Sequence, residues 1–120
     1  IAFCYYQAKL YDKSIQMFEK YFNDFTTDDL KAEALYWIGE NLFSKEEYEL
    51  AVNSFLKVAY SYPTAIKWSA IAELRAGEAY LSNNQMERGI TQLNKVISIY
   101  GPGSQAGTEA KKRLNQLGIK

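Results

Sequence analysis

The sequence predicts an all-α fold in which pairs of antiparallel helices are repeated along the chain and stacked side by side. Three observations predict it. Apolar residues recur at spacings of three and four positions, which places them on one side of an α-helix. The same pattern starts at Ile15, returns at Val52 and returns again at Ile90, as in a helical repeat array. Hydrophobic residues make up 48% of the sequence, which is enough for a continuous core.

The most regular part of the repeat is a stripe of four apolar residues, which we assign to the second helix of each unit, helix B. Within each stripe the residues follow one another at intervals of three, four and three positions. The stripes are Ile15, Phe18, Phe22 and Phe25; Val52, Phe55, Ala59 and Tyr62; and Ile90, Leu93, Ile97 and Tyr100. Side chains at this spacing form one apolar face, so we expect the stripes to be core. Truncation of Phe55 to alanine should cost about 3–5 kcal/mol of stability.

A second set of positions with the same offsets marks the first helix of each unit, helix A. One row holds the small residues Ala2, Gly39 and Gly77, and another holds Tyr5, Leu42 and Tyr80. Glycine inside a helix is less favourable than alanine by about 1 kcal/mol. We therefore expect helix B of the same unit to approach the small row so closely that a side chain has no room.

Polar residues, Pro and Gly separate the predicted helices, which span about residues 1–8, 11–25, 29–43, 47–61, 67–82, 86–100 and 104–117. Between helices A and B, Ser44 to Glu47 fits the Ser-x-x-Glu capping box, and Asn83 and Asn84 offer capping side chains. Segments 26–29, 63–64 and 101–104 separate the units, because Pro or Gly ends a helix and Thr, Asp or Ser starts the next. Acidic pairs at 28–29 and 46–47 are expected at helix starts, where the unpaired amides favour negative charge.

Charge and composition exclude several classes of function. The 14 basic and 14 acidic residues balance, so no electrostatic field favours nucleic acid. The chain has no His, which removes the usual general base and zinc ligand. No apolar stretch approaches the ~20 residues that span a bilayer. We therefore expect no enzyme activity, no catalytic residue, no cofactor or metal, no nucleic-acid partner and no membrane span.

Other local features have structural explanations. Cys4 is expected to be a small buried hydrophobic residue in a helix. The basic run 111–113 lies in the last predicted helix, where cations complement the dipole, and we expect it to face solvent. Segment 101–104 is rich in Gly but lacks the Lys of a phosphate loop, so it is predicted to be a turn. Because the sequence begins at Ile1 inside a predicted helix and without a leader pattern, we infer a fragment of a longer protein.

The repeat length and the small residue in helix A resemble the tetratricopeptide repeat (TPR), a helix pair of about 34 residues. The second repeat matches the motif best, at Leu35, Gly39, Leu42, Tyr48, Ala51, Phe55, Val58 and Pro63. The third repeat departs from it at Glu73, Gly89 and Gly101. The resemblance implies a right-handed TPR superhelix of antiparallel helix pairs. It divides a single domain, 1–120, into a partial repeat 1 (1–28), repeat 2 (29–65), repeat 3 (66–103) and a capping helix (104–120).

The segment from Leu35 to Glu40 also resembles the Tyr-Trp-Leu-Gly-Glu stretch of periplasmic TPR proteins of the Tol-Pal system, of the YbgF (CpoB) type. Tyr62-Pro63, Ser104 and the closing helix around 110–114 are similar to the same proteins. This resemblance implies a periplasmic or outer-membrane-associated protein of the bacterial cell envelope that binds envelope partners. Proteins of this type also carry an N-terminal coiled coil, which this chain lacks. The outer-membrane assembly lipoprotein BamD has similar repeats and provides the alternative.

In a solenoid of helix pairs, the free side of each helix A forms the concave surface on which partners bind. Counting from the small row, we expect positions three before, one after and four after it to point away from helix B. These candidate partner-binding residues are Phe3, Tyr6, Tyr36, Glu40, Phe43, Leu74, Glu78 and Leu81. Glu40 and Glu78, one repeat apart, are expected to pair with Lys or Arg of a basic or amphipathic segment.

Two alternatives remain open for this surface. Tyr36, Phe43 and Leu81 can instead fill the core of the repeats. The function can also be architectural, with the exposed ends of the stack joining flanking repeats or further copies of the chain, and Phe3 and Tyr6 favour that interpretation.

Overall fold

The computed structural model describes residues 2–118, which form seven α-helices and one short 3-10 turn. The helices are α1 (Ala2–Gln7), α2 (Tyr11–Tyr21), α3 (Asp28–Ser44), α4 (Tyr48–Ser61), α5 (Ile66–Ser82), α6 (Met86–Tyr100) and α7 (Gln105–Gln116), and the 3-10 turn is Phe22–Asp24. Residues 2–118 contain no β-strand. The predicted all-α fold is therefore confirmed.

The helices pack in sequence order into an elongated stack of 42 × 28 × 19 Å. Each helix contacts the next along the chain, and α3, α5 and α7 also contact one another in order. The odd-numbered helices are thus the A helices and the even-numbered ones the B helices. Helix α7 takes the place of helix A in a fourth unit, because its buried Ala110 and Leu114 stand one repeat length after the buried Ala72 and Ala76 of α5.

The helix B stripes contribute to the core, as predicted, with three of their twelve residues buried and nine partly buried. Phe55 and Leu93 are completely buried, and none of the twelve stripe residues is exposed. A Cβ added at Gly39 would lie 2.6 Å from the Phe55 ring, and one added at Gly77 would lie 2.8 Å from Leu93. Real Cβ atoms do not approach other carbon atoms so closely. The expectation that helix B leaves no room for a side chain at these two glycines is therefore confirmed.

The turns from helix A to helix B are closed by the backbone, and the predicted capping box is wrong. Ser44 is the last residue of α3, and neither α4 nor α6 begins with a side-chain cap. Lys9, Glu46 and Asn84 each have φ between 62° and 64°, and the amide of the next residue donates to a carbonyl five positions back, over 2.8–2.9 Å. This is the Schellman arrangement, in which a left-handed residue ends a helix.

The turns between units agree better with the helix starts and ends that the sequence predicts. The Thr27 hydroxyl accepts a hydrogen bond from the Leu30 amide at the start of α3, and the Ser104 hydroxyl accepts one from the Gly107 amide at the start of α7. Gly101, with φ of 92°, ends α6. The turn between the first and second units differs from the prediction. The sequence predicts that helix α2 ends at about residue 25, but it ends at Tyr21 and the 3-10 turn follows it.

Two further expectations concern the burial of Cys4 and a membrane-spanning helix. Cys4 is exposed, contrary to the prediction that it is buried, because α1 has only six residues and buries none of them completely. Among the described residues, no helix has both the length and the apolar character that crossing a bilayer requires.

Candidate functional site: the surface of the A helices

A row of three side chains joins each A helix to the one before it. In α3, the Trp37 ring meets the rings of Phe3 and Tyr6 of α1 edge-on, at centroid distances of 4.8 and 5.2 Å. The equivalent residue of α5 is Arg75, and that of α7 is Arg113, each one repeat further along the chain. This row, Trp37, Arg75 and Arg113, is the connecting row of the A-helix surface.

Arg75 and Arg113 contact the carboxylates that were expected to serve a partner. Arg75 lies 2.9 Å from the Glu40 carboxylate, and its guanidinium carbon is 4.3 Å from the centre of the Phe43 ring. Arg113 Nε lies 3.2 Å from Glu78 Oε1. Both carboxylates are therefore already neutralised within the chain. A basic segment that used them would have to displace an arginine.

The connecting row has no common residue type in the sequence, because its members differ in chemistry. A search for shared residue types finds the glycines and the apolar stripes, whereas Trp and Arg do not look equivalent. The repeat length itself was the available signal, since it relates Arg75 to Arg113 and Glu40 to Glu78 together. An opposite-charge pair that recurs at the repeat length predicts contact between neighbouring units.

Tyr36 belongs to the core more than to the surface. Its side chain is only 8% exposed, and its ring lies 5.7 Å from that of Phe55 in helix B and 5.5 Å from that of Trp68 in α5. Its hydroxyl donates a 2.8 Å hydrogen bond to Glu40. Burial, followed by the neighbouring Glu40 carboxylate, raises the pKa of Tyr36 well above its usual value.

The other candidate residues divide into two groups. Phe43 stacks edge-on against Tyr48 of α4 at 5.2 Å, and Leu81 lies within 2.5 Å of where a Cβ at Gly89 of α6 would be. The expectation that Tyr36, Phe43 and Leu81 point away from helix B is therefore wrong. Phe3 remains exposed, and Tyr6, Leu74 and Glu78 are half-buried on the A-helix surface.

A groove runs between α5 and α7 on this surface, and we call it the concave groove. Its apolar end has a volume of about 430 Å³ and includes Ile66, Ile71 and Leu74. Its charged end, of about 490 Å³, continues from Leu74 past Glu78 to Arg113. Leu74 and Glu109 line both ends, so the two volumes are adjacent.

The charged side chains of the concave groove differ in whether they already form an ion pair within the chain. Glu109 and Lys112 of α7 are exposed, and neither forms an ion pair with another residue of the described range 2–118. Lys111 is exposed as well, as expected for this basic run, whereas Arg113 is half-buried against Glu78. The described residues contain no cluster of three His, Cys, Asp or Glu side chains that would hold a metal ion.

Comparison with known proteins gives the family. The profile of the tetratricopeptide repeat matches residues 33–65 and 72–101, which together are just over half of the chain. A search of curated proteins found no significant match. The matched segments contain α4 and α6 completely and most of α3 and α5, including Trp37 and Arg75 of the connecting row. This chain is a member of the tetratricopeptide repeat family.

Proposed function

We propose that this chain is a scaffold that binds an amphipathic segment of a partner protein in the concave groove between α5 and α7. TPR domains generally serve as protein–protein interaction scaffolds. The observation that carries the proposal is the continuity of the groove, which passes from apolar side chains around Ile66 to charged ones around Lys112. Ile66 is 66% exposed at the apolar end, which leaves apolar area for a partner to bury.

The dimensions of the groove suit a short segment. The stretch of α5 from Ile66 to Glu78 covers about 18 Å at about 1.5 Å per residue. An extended peptide of about five or six residues has this length. Its apolar side chains would lie over Ile66 and Leu74, and its charged side chains would meet Glu109 and Lys112. Phe3 and Tyr6 belong to α1 and do not line this groove, so the proposed partner-binding surface consists of the α5 and α7 residues.

A matched pair of substitutions tests the groove. Ile66→Lys places a charge at its apolar end, and Ile99→Lys makes the same change on α6, where Ile99 is 54% exposed and does not line the groove. Proteins that co-purify with the wild-type chain from its native cells should be lost with Ile66→Lys and kept with Ile99→Lys. Equal retention by both variants would rule out the concave groove as the binding site.

We also propose that the protein works in the bacterial cell envelope, with partners of the Tol-Pal or cell-division type. The support is the resemblance of residues 35–40 and of Tyr62-Pro63 to periplasmic TPR proteins of the YbgF type. The assembly-factor type represented by BamD is the alternative. Cell fractionation of the full-length protein tests this placement, and the complete sequence distinguishes a signal peptide with a coiled coil from a lipoprotein cysteine.

An architectural role is the second candidate, and the aromatic end of the stack favours it. Phe3 is 42% exposed although it also touches Trp37. A ring in this position can pack against another chain or another repeat. Light scattering over a range of concentrations tests this role, since association that Phe3→Ser abolishes would support it and a strict monomer would reject self-association.

A further inference from the structure

We propose a second binding site on the opposite side of the stack, in a groove between α2 and α4, for an extended peptide that inserts a large apolar side chain. We call it the convex groove. Its volume is about 600 Å³, which lies within the usual range of ligand pockets. The site is independent of the concave groove, because the two share no residue.

The floor of the convex groove is apolar. Leu35 and Ile38 of α3 lie at the bottom, Phe22 closes one side, and Leu50 stands on the wall formed by α4. Leu50 is 53% exposed. A leucine or aromatic side chain seated here would remove apolar surface of both molecules from water, which is the main source of favourable binding energy for such groups.

The rim of the groove carries polar groups on both walls. Glu19 and Asn23 stand on the side of α2 and the 3-10 turn, and Asn53 and Lys57 stand on α4. All four are exposed, and within residues 2–118 neither Glu19 nor Lys57 has an ion-pair partner. An asparagine amide both donates and accepts hydrogen bonds, so an amide on each wall suits the N–H and C=O groups of an extended backbone. One acidic and one basic residue leave the rim neutral, which favours an uncharged peptide.

The next repeat provides an internal comparison. Leu35, Ser54 and Lys57 of the convex groove correspond, one repeat later, to Glu73, Gln92 and Lys95. The Ser54 hydroxyl donates to the Leu35 carbonyl over 2.8 Å, and the Gln92 amide donates to the equivalent Glu73 carbonyl over 3.1 Å. The equivalent backbone carbonyl thus accepts a side-chain hydrogen bond in both repeats. The donor is the short Ser54 in the second repeat and the longer Gln92 in the third.

This difference in length explains the open groove. Gln92 is buried, and Glu73 beside it is buried and lies 3.7 Å from Lys95. In the third repeat, polar side chains therefore take the place of Leu35 and Ser54, and the volume that Gln92 still lines is smaller, at about 380 Å³. In the second repeat, Ser54 is shorter than Gln92, and the groove stays open. It lies above Leu35 and Ile38, which are only 8% and 9% exposed, and beside the exposed Leu50. Ser54→Gln should close the convex groove with a side chain that this fold already accommodates.

The experiment uses a random dodecapeptide library displayed on phage, selected against the whole chain and counter-selected against Ser54→Gln. Selected peptides should share a Leu, Phe or Trp and should bind Ser54→Gln about tenfold or more weakly, since a buried apolar side chain contributes that much. Ser54→Ala is the matched control, because it also loses the serine hydroxyl but leaves the groove open. It should keep affinity within about threefold.

Three results of the peptide selection would overturn the proposal. They are failure to enrich any peptide that distinguishes the wild-type chain from Ser54→Gln, selected peptides without a large apolar residue, and equal loss of binding in both Ser54 variants. Light scattering tests whether a second copy of the chain, and not a peptide, occupies the convex groove. If the wild-type chain dimerises and Ser54→Gln does not, the groove holds a second copy of the chain and the peptide assignment is wrong. Circular dichroism of each variant confirms that it is folded.

Discussion

The close approach of helices A and B predicts that the effect of Gly39→Ala changes sign when Phe55 is truncated. In the wild-type chain the new methyl group would lie 2.6 Å from the Phe55 ring, which is completely buried. Overpacking of this kind costs about 1–3 kcal/mol. Alanine gains about 1 kcal/mol over glycine in a helix. The net result should be a loss of up to about 2 kcal/mol.

In the Phe55→Ala background the obstacle is gone, and the same Gly39→Ala change should stabilise the chain by about 1 kcal/mol. Phe55→Ala by itself should lose about 3–5 kcal/mol. Urea unfolding of the four proteins, followed by circular dichroism, gives the coupling between the two sites, which we expect to be about 1–3 kcal/mol. Gly103→Ala is the control, because a Cβ at Gly103 meets no atom within 4 Å.

The double-mutant cycle has a clear contrary outcome. If Gly39→Ala changes the free energy of unfolding equally in both backgrounds, the Phe55 ring does not restrict this position. Glycine at position 39 would then need another explanation than the approach of helix B.

Three further predictions concern capping, ionisation and the connecting row. Thr27→Ala removes the hydroxyl that caps α3 and should cost about 1 kcal/mol in thermal unfolding, whereas the neighbouring Thr26→Ala should cost almost nothing. Tyr36 has its pKa raised above the ordinary 10.0, so its stabilising contribution is complete below about pH 10 and should be lost as the pH rises further. Absorbance titration at alkaline pH should show one late-ionising tyrosine fewer in Tyr36→Phe. Arg75→Met leaves the largely buried Glu40 carboxylate without its cation and should cost about 1–2 kcal/mol in urea unfolding, a loss that Glu40→Gln in the same chain should reduce.

The candidate site was only partly predictable from the sequence. Leu74 and Glu78 do line the concave groove, as their positions in helix A suggested. Tyr36 shows the limit, because a residue three positions before the small row can turn either to the surface or to helix B, and here it meets Phe55. Arg75 shows another limit, since its role depends on a carboxylate in the preceding repeat.

The sequence by itself determined the helix pairs, their order, the core stripes and the need for glycine at positions 39 and 77. These features follow from short-range geometry, since a helix presents every third or fourth residue to its neighbour whatever lies farther away. Only the tertiary structure decided which polar groups stay free. The angle at which one unit rests on the next places Arg75 on Glu40 and brings α2 and α4 to the two sides of the groove beside Ser54. That angle results from the packing of many side chains at once, and no single spacing in the sequence specifies it.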